Sequence, residues 1–329
     1  MANQDFLPHP TNFYRTAESV SPGHPDKLCD QISDAILDAY LAQDPDARVA
    51  VEVCGGHGVV FVVGEVTSIA KMPDLAKIIE RITGRTDLEL HTRLVEQSPE
   101  IANGVDTGGA GDQGIMIGYA CDETPELLPR EVVLARQLNE HIYAKHPYDG
   151  KTQVTLNPDG SISSVVASFQ NVPKDELSAI IDEFINENNL ELLVNPAGDW
   201  NQGGFDADTG LTGRKLIIDN YGPRIPIGGG AFSGKDPSKV DRSAAYMARR
   251  IAVDYLRKRH AHEVLVRLAY AIGYDQPLEK TVIIDGAPEA IEGYDLTPQG
   301  IIRTLGLKRP IYEQTARYGH FGHAFPWDD

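Results

Sequence analysis

One order of elements, helix–hairpin–helix, recurs three times along the chain, and no other feature of the sequence restricts its folds as much. Behind Pro25, the residues Leu28, Ile32, Ala35 and Ala39 return at three-to-four spacing. That spacing predicts a helix from about Asp26 to Gln43. Arg48 to Thr67 then reads as a hairpin turning at Gly55-Gly56-His57-Gly58, and Asp74 to Arg81 as a short helix stopped near Gly84. The second unit repeats the order with a helix over Pro129–Lys145 and a hairpin over Thr152–Phe169 across Asn157-Pro158-Asp159-Gly160. An amphipathic helix over Lys174–Asn188 closes it. The third has a helix over Asp241–Arg259 with Asp241 as its N-cap, two strand-like runs within Val264–Ile284, and a helix over Thr297–Leu305. Corresponding elements lie roughly 100 to 115 residues apart, the mark of a repeated supersecondary unit.

The expected class is α+β: three pseudo-symmetric subdomains, each a small, mostly antiparallel sheet with helices on one face. The expected division is residues 12–104, 105–204 and 205–329, with the subdomains intertwined. A sheet covered on one face leaves the other for a partner, so self-association is expected. Asp30, Asp34 and Asp38, at i, i+4 spacing on the first helix, read as a solvated face.

Charge narrows the function. The 329 residues hold 30 Lys and Arg against 48 Asp and Glu, a formal net charge of −18. Nucleic acid and anionic membrane both demand a basic footprint, so neither is expected as a partner. Cys29, Cys54 and Cys121 are too few and too scattered for a disulfide scaffold or a Cys-based zinc site. The N-terminal residues lack a signal pattern, and the apolar run Val59–Val63 is too short to span a bilayer. A cytoplasmic location is the expectation.

In such a chain any site that grips a polyanion must gather its cations locally. They collect in three loop stretches rich in Gly, Asp, Ser and Lys: Ser19–Lys27, Gln97–Gly118 and Asn195–Asp241. His24 and Lys27 flank Asp26; Lys151 follows Asp149-Gly150; Arg214 and Lys215 end one glycine loop; Lys235 and Lys239 lie in another. Asp26, Asp112, Asp208 and Asp241 lie beside them. Carboxylates next to phosphate-binding cations point to Mg²⁺, which takes one or two protein carboxylates plus phosphate oxygens. Taken singly, a loop Asp is first a turn former or a cap.

Two glycine signatures are misleading. Gly109-Ala110-Gly111-Asp112-Gln113-Gly114 spells a dinucleotide fingerprint, but a loop precedes it and a strand-like run follows, the reverse of what that site requires. Gly229–Lys235 spells the core of a P-loop, but Asp236 stands where the motif needs Ser or Thr, and Pro237 follows. What survives is a nest of backbone N–H groups with a Lys beside it.

In these loops the sequence resembles the S-adenosylmethionine synthetase family. The resemblance is carried by Gly23-His24-Pro25-Asp26-Lys27, by the Gly109–Gly114 run, and by Gly228-Gly229-Gly230-Ala231-Phe232-Ser233-Gly234-Lys235-Asp236. Gly210–Lys215, Tyr270-Ala271-Ile272-Gly273 and Tyr318-Gly319-His320-Phe321-Gly322 extend it, in the family's order, over about Thr16 to Trp327. It implies three subdomains around a pseudo-three-fold axis and a reaction in which ATP, methionine and water give S-adenosylmethionine, pyrophosphate and phosphate. His24, Lys151, Arg214 and Lys235 then resemble the ligands of the triphosphate and its leaving oxygen, with Asp112 beside the ribose and nascent sulfonium. Asp149, Lys215 and Asp208 join the ATP set, and Trp200 falls where the family stacks an aromatic on adenine. Glu65, Gln97, Asp208, Lys239 and Ile272 resemble the methionine-binding groups. Asp26 and Asp241 resemble the carboxylates for Mg²⁺, two ions per site, and Glu52 the residue of a K⁺ site. Active sites shared between two subunits make a homodimer the minimum expected unit, with a homotetramer open.

The chain departs from the family pattern in places. Val105-Asp106-Thr107-Gly108 is short for a mobile lid, Asp199-Trp200 replaces an Arg–aromatic pair, and Ser68–Arg93 is compressed. The short lid motivates one rival, a different ATP-dependent enzyme such as a triphosphatase or a nucleotide-selective relative. A second rival, a catalytically dead scaffold, predicts missing motif charges, yet His24, Asp26, Lys151, Lys235 and Asp241 are all present.

Overall fold

The computed structural model describes residues 12–97, 108–185 and 190–329. Residues 105–107 of the short-lid reading and residues 186–188 of the expected helix lie outside the described residues. The helices are α1 (Pro25–Leu41), α2 (Leu75–Thr83), α3 (Arg130–Lys145), α4 (Lys174–Phe184), α5 (Leu216–Asp219), α6 (Val240–Arg259), α7 (Pro298–Leu305) and α8 (Thr315–Tyr318). The strands are β1 (Arg15–Val20), β2 (Arg48–Gly56), β3 (Val59–Thr67), β4 (Glu89–Val95), β5 (Gly114–Cys121) and β6 (Gly150–Leu156). They continue with β7 (Ile162–Phe169), β8 (Glu191–Val194), β9 (Gly210–Leu211), β10 (Glu263–Tyr270), β11 (Glu279–Ile284) and β12 (Ala287–Ala290).

The three hairpins form as their turns dictate. His57 and Gly58 both take positive φ, 51° and 87°, which matches the twist of the strands that they join. Asp74 caps α2 by accepting from the Lys77 N–H, and Gly84 ends it in the left-handed conformation. At the third long helix the expectation fails in detail. Lys239 is the N-cap of α6 and Asp241 lies inside the first turn. Its side chain is therefore not consumed in capping.

Each hairpin nucleates a four-stranded sheet, in the orders β4-β3-β2-β9, β1-β6-β7-β8 and β12-β11-β10-β5. The fourth strand of each is borrowed from another part of the chain. β9 joins the first hairpin, β1 the second, and β5 the third. The subdomains are thus intertwined by cyclic strand exchange. In the first two sheets the hairpin continues through a helix to a parallel strand, β4 or β8. In the third the turn Asp285-Gly286 returns β12 antiparallel on β11, so the symmetry is broken there.

The first and third sheets share one apolar core, in which Val49 and Val51 of β2 lie on the side of α1, Val60 and Val62 of β3 join the same core, and Met116, Val264 and Val266 lie on the side of α6. The second sheet keeps its own core with α3 and α4. Gly118 lets α6 lie directly on β5, because a Cβ there would overlap the backbone of Ala248. α1 is enclosed by β2, α2, β9 and α8. Every residue from Pro25 to Leu37 is buried, so the acidic residues of α1 do not form the solvated face expected from their spacing.

Candidate functional site

The site is assembled around the N-terminus of α1. β1 ends where β6 begins, with Val20 opposite Lys151, and the Ser21 N–H donates to the Gly150 carbonyl at 2.9 Å. Gly23 lies flat against Tyr148 and Asp149, so the turn into α1 runs beside Lys151. His24 then caps the helix: its Nδ1 accepts the Asp26 N–H at 3.1 Å. That bond requires a lone pair on Nδ1, so the neutral ring carries its proton on Nε2, the atom free to face a ligand. Burial, reinforced by the Lys215 and Lys151 ammonium groups, pushes the imidazole down to about 3.

Asp26 sits in the first turn of the helix. Its Oδ1 accepts the Leu211 N–H at 2.9 Å, and its Oδ2 meets Lys215 Nζ at 2.5 Å, with Arg214 Nε at 3.6 Å from Oδ1. Burial alone raises such a carboxyl, but Lys215 and the Leu211 N–H outweigh it and hold Asp26 below its ordinary value. Gly210 makes the approach of this loop workable, since a Cβ there would overlap the Pro25 carbonyl. Asp149 is buried and accepts the Gly204 N–H at 2.9 Å; burial pushes it up to about 6. Trp200 donates from Nε1 to Ser168 Oγ at 3.0 Å.

A second cluster forms at the start of α6. Lys235 Nζ meets Asp241 Oδ2 at 2.7 Å, and Lys239 Nζ meets Asp236 Oδ2 at 2.5 Å. Gly230 and Gly114 let the backbone close directly on the Asp241 carboxylate, which a Cβ at either position would overlap. The two clusters adjoin, because Gly213 faces Ala231.

Of the remaining candidates, Glu52, Glu65, Asp112, Asp208 and Ile272 are exposed and Gln97 is half-buried. Glu52 and Glu65 lie on the uncovered side of β2 and β3. Asp112 and Asp208 are exposed and each accepts the N–H of its following residue. Ile272 is 52% exposed. Gln97 donates its N–H to Thr67 Oγ1 at 3.4 Å, while its Oε1 is buried with no hydrogen-bond partner among the described residues. Among those residues, no group of three or more His, Cys, Asp or Glu could hold a metal ion. No helix is long and apolar enough to cross a membrane among them either.

Lys27 does not join the cationic cluster. It is fully buried and pairs with Asp219 at 2.7 Å and Asp30 at 3.2 Å. Burial lowers such an ammonium, but Asp219 and Asp30 more than offset it, and its pKa rises.

Opposed titrations are built into the interior. Burial pushes the Asp30 and Asp38 carboxyls up to about 7, whereas burial and Arg136 push His323 down to about 4. A depressed histidine contributes stability above its unfolded pKa of about 6.5, and loses it as pH falls toward the folded value. The raised carboxyls act in the opposite sense, gaining stability on the same descent. His323→Gln is therefore expected to gain roughly 2 kcal/mol relative to the parent between pH 7 and pH 5. Urea unfolding at both pH values measures it, and a pH-independent difference between the two proteins would reject the shift.

Comparison with known proteins shows the family to which the chain belongs. Three family models match in succession: S-adenosylmethionine synthetase N-terminal domain over residues 12–102, central domain over 107–200, and C-terminal domain over 202–329. An S-adenosylmethionine synthase of Thermus thermophilus is 43% identical over 375 aligned positions, covering 95% of each chain. One from Treponema denticola is 42% identical over 370 positions, covering 96% of this chain and 95% of its own. A chain of 329 residues leaves at least 46 of those 375 positions empty, so the Thermus relative carries segments that this chain lacks.

Proposed function

The chain belongs to the S-adenosylmethionine synthetase family and is a methionine adenosyltransferase; from that premise we propose how its residues carry out the reaction. The methionine sulfur attacks C5′ of ATP. The S–C5′ bond forms, the C5′–O5′ bond breaks, and the electron pair leaves on the triphosphate. Water then cleaves the triphosphate to pyrophosphate and phosphate. A thioether sulfur needs no general base, so catalysis rests on positioning and on charge at the leaving group.

The observation that carries this reading is the convergence of His24, Lys151, Arg214 and Lys215 on one helix N-terminus, with Lys235 adjoining. Lys215 and Lys235 already stand against carboxylates, at 2.5 Å and 2.7 Å, so each is oriented before a triphosphate arrives. His24 donates from Nε2 and stays uncharged, and the lysines and Arg214 supply the positive field. Asp149 and Trp200 border the adenosine end, with Asp112 beside the ribose. Glu65, Gln97, Asp208, Lys239 and Ile272 hold methionine, for which the Gln97 Oε1, without a hydrogen-bond partner among the described residues, is a ready acceptor.

Asp26 and Asp241 fit Mg²⁺, each offering a carboxylate oxygen beside phosphate-binding cations. Bound there, Mg²⁺ would neutralise phosphate charge in the ground state and in the departing triphosphate. Glu52, an exposed oxygen donor, is assigned to K⁺.

Glu52, Glu65 and Ile272 lie on uncovered faces that a second copy of the chain would cover, so the reading places the completed site between two subunits. The face of β5 and β10 suits it. Ile115 and Leu278 are exposed at 57% and 72%, and a cavity of about 920 Å³ opens between Ile117, Leu265 and Gly228. Incubation with ATP, methionine, Mg²⁺ and K⁺ is expected to yield S-adenosylmethionine, pyrophosphate and phosphate in equal amounts. Phosphate release without a sulfonium product would overturn the reading in favour of a triphosphatase.

A further inference from the structure

Four carboxylates stand at four-residue intervals on α1, and each accepts backbone N–H groups from a distant loop. Asp26 takes the Leu211 N–H at 2.9 Å, Asp30 takes Gly213 at 2.8 Å, and Asp34 takes Gly234 at 2.8 Å. Asp38 takes Tyr312 and Glu313 at 3.0 and 2.9 Å. Residues four apart share a helix face and are separated by about 6 Å along the axis. The helix is thus a rail with evenly spaced anchor points.

Two of these anchors hold the loops that end in the candidate phosphate cations. Gly213 precedes Arg214 and Lys215, and Gly234 precedes Lys235. Both glycines take φ of 80°. The Gly234 carbonyl accepts the Val51 N–H and Lys235 bridges to Ala50 on β2, so that loop is fixed to the sheet on one side and to α1 on the other. The bond from each glycine N–H to a buried carboxylate is what ties the loop to α1. Neither carboxylate reaches solvent: Asp30 is 2% exposed, and Asp34 is completely buried. Each is in turn fixed by a buried cation, Lys27 for Asp30 and Arg242 for Asp34. The two loops touch through Gly213 and Ala231, so an error in either anchor displaces both sets of cations.

From this geometry we infer that Asp30 and Asp34 are positioning residues, acting through the Gly213 and Gly234 amides to set the register of the triphosphate-binding cations. The inference rests on the proposed reading of those loops as the triphosphate site.

Asp38 supplies an internal control, since it tethers 312–313, a segment with no candidate cation. Asp30→Ala, Asp34→Ala and Asp38→Ala are compared by hydrogen exchange and by inhibition with inorganic tripolyphosphate. Asp30→Ala is expected to lose protection at 210–215 and Asp34→Ala at 232–236. Both should weaken tripolyphosphate at least tenfold while the methionine KM stays within threefold. Asp38→Ala should leave tripolyphosphate affinity within twofold. Should an alanine variant not fold, the Asn variant at that position is read in its place. Failure of both to fold assigns the carboxylate to the fold alone and overturns the inference. Equal loss in Asp38→Ala, or unchanged tripolyphosphate binding in folded Asp30 and Asp34 variants, also overturns it. A parent enzyme that ignores tripolyphosphate fails the site reading and the inference together, whereas inhibition of the parent with unaltered variants fails the inference alone.

Discussion

Lys235→Ala is expected to lower kcat by about 10²–10³-fold, the usual effect of removing one preorganised donor from a centre of developing charge. The lysine is held by Asp241 at 2.7 Å, in a loop whose next amide inward is tethered to α1. Its removal subtracts a cation and also leaves the Asp241 carboxylate unmatched, facing the triphosphate. Both changes act more strongly as the C5′–O5′ bond breaks than in the bound ground state, so kcat should fall further than substrate affinity. The Lys235 side chain remains 22% exposed. Lys235 lies in a loop that is also held by backbone bonds to β2, so its loss is expected to cost turnover more than folding. Rapid-quench turnover and thermal unfolding, measured on the same preparation, separate the two effects. Turnover within threefold of the parent in a protein of unchanged stability would sink the leaving-group role.

The sequence made the local elements legible because periodicity and turn chemistry are local. The apolar spacing of α1, the short helix with its stop at Gly84, and the His57-Gly58 turn each needed only neighbouring residues. Strand exchange could not be read in the same way. β1, β5 and β9 look like ordinary strands, and nothing in six or eight residues records which sheet will accept them. The buried carboxylates of α1 were misread for a related reason. Carboxylates at i, i+4 normally mark a wet face, and the partners that reverse that reading lie 183 and 200 residues away, at Gly213 and Gly234. One signal was available: α1 has apolar or small residues around much of its remaining circumference, leaving no other face for water. The candidate site divides along the same line. Cations in glycine loops were legible as phosphate ligands, while the tethers that aim them were not.

That division can be tested where stability and aim share one residue pair. Arg242 makes a bidentate pair with Asp34, at 2.6 and 2.9 Å, with both side chains completely buried. It also donates to Tyr246 Oη and Thr315 Oγ1 and lies 4.3 Å from the Tyr312 ring centroid. Arg242→Leu leaves a buried carboxylate without its counter-charge, which costs about 3–5 kcal/mol. Asp34→Leu strands the guanidinium at similar cost. Removing both charges together avoids either orphan, so the double variant should recover roughly 2–3 kcal/mol relative to the sum of the singles. The Gly234 N–H, however, stays unanchored in the double variant. Its urea midpoint should climb back toward the parent while its inhibition by tripolyphosphate stays weak. Additive stabilities would show that the pair is not coupled through charge. Recovery of tripolyphosphate affinity along with stability would show that Asp34 serves the fold and not the aim of Lys235.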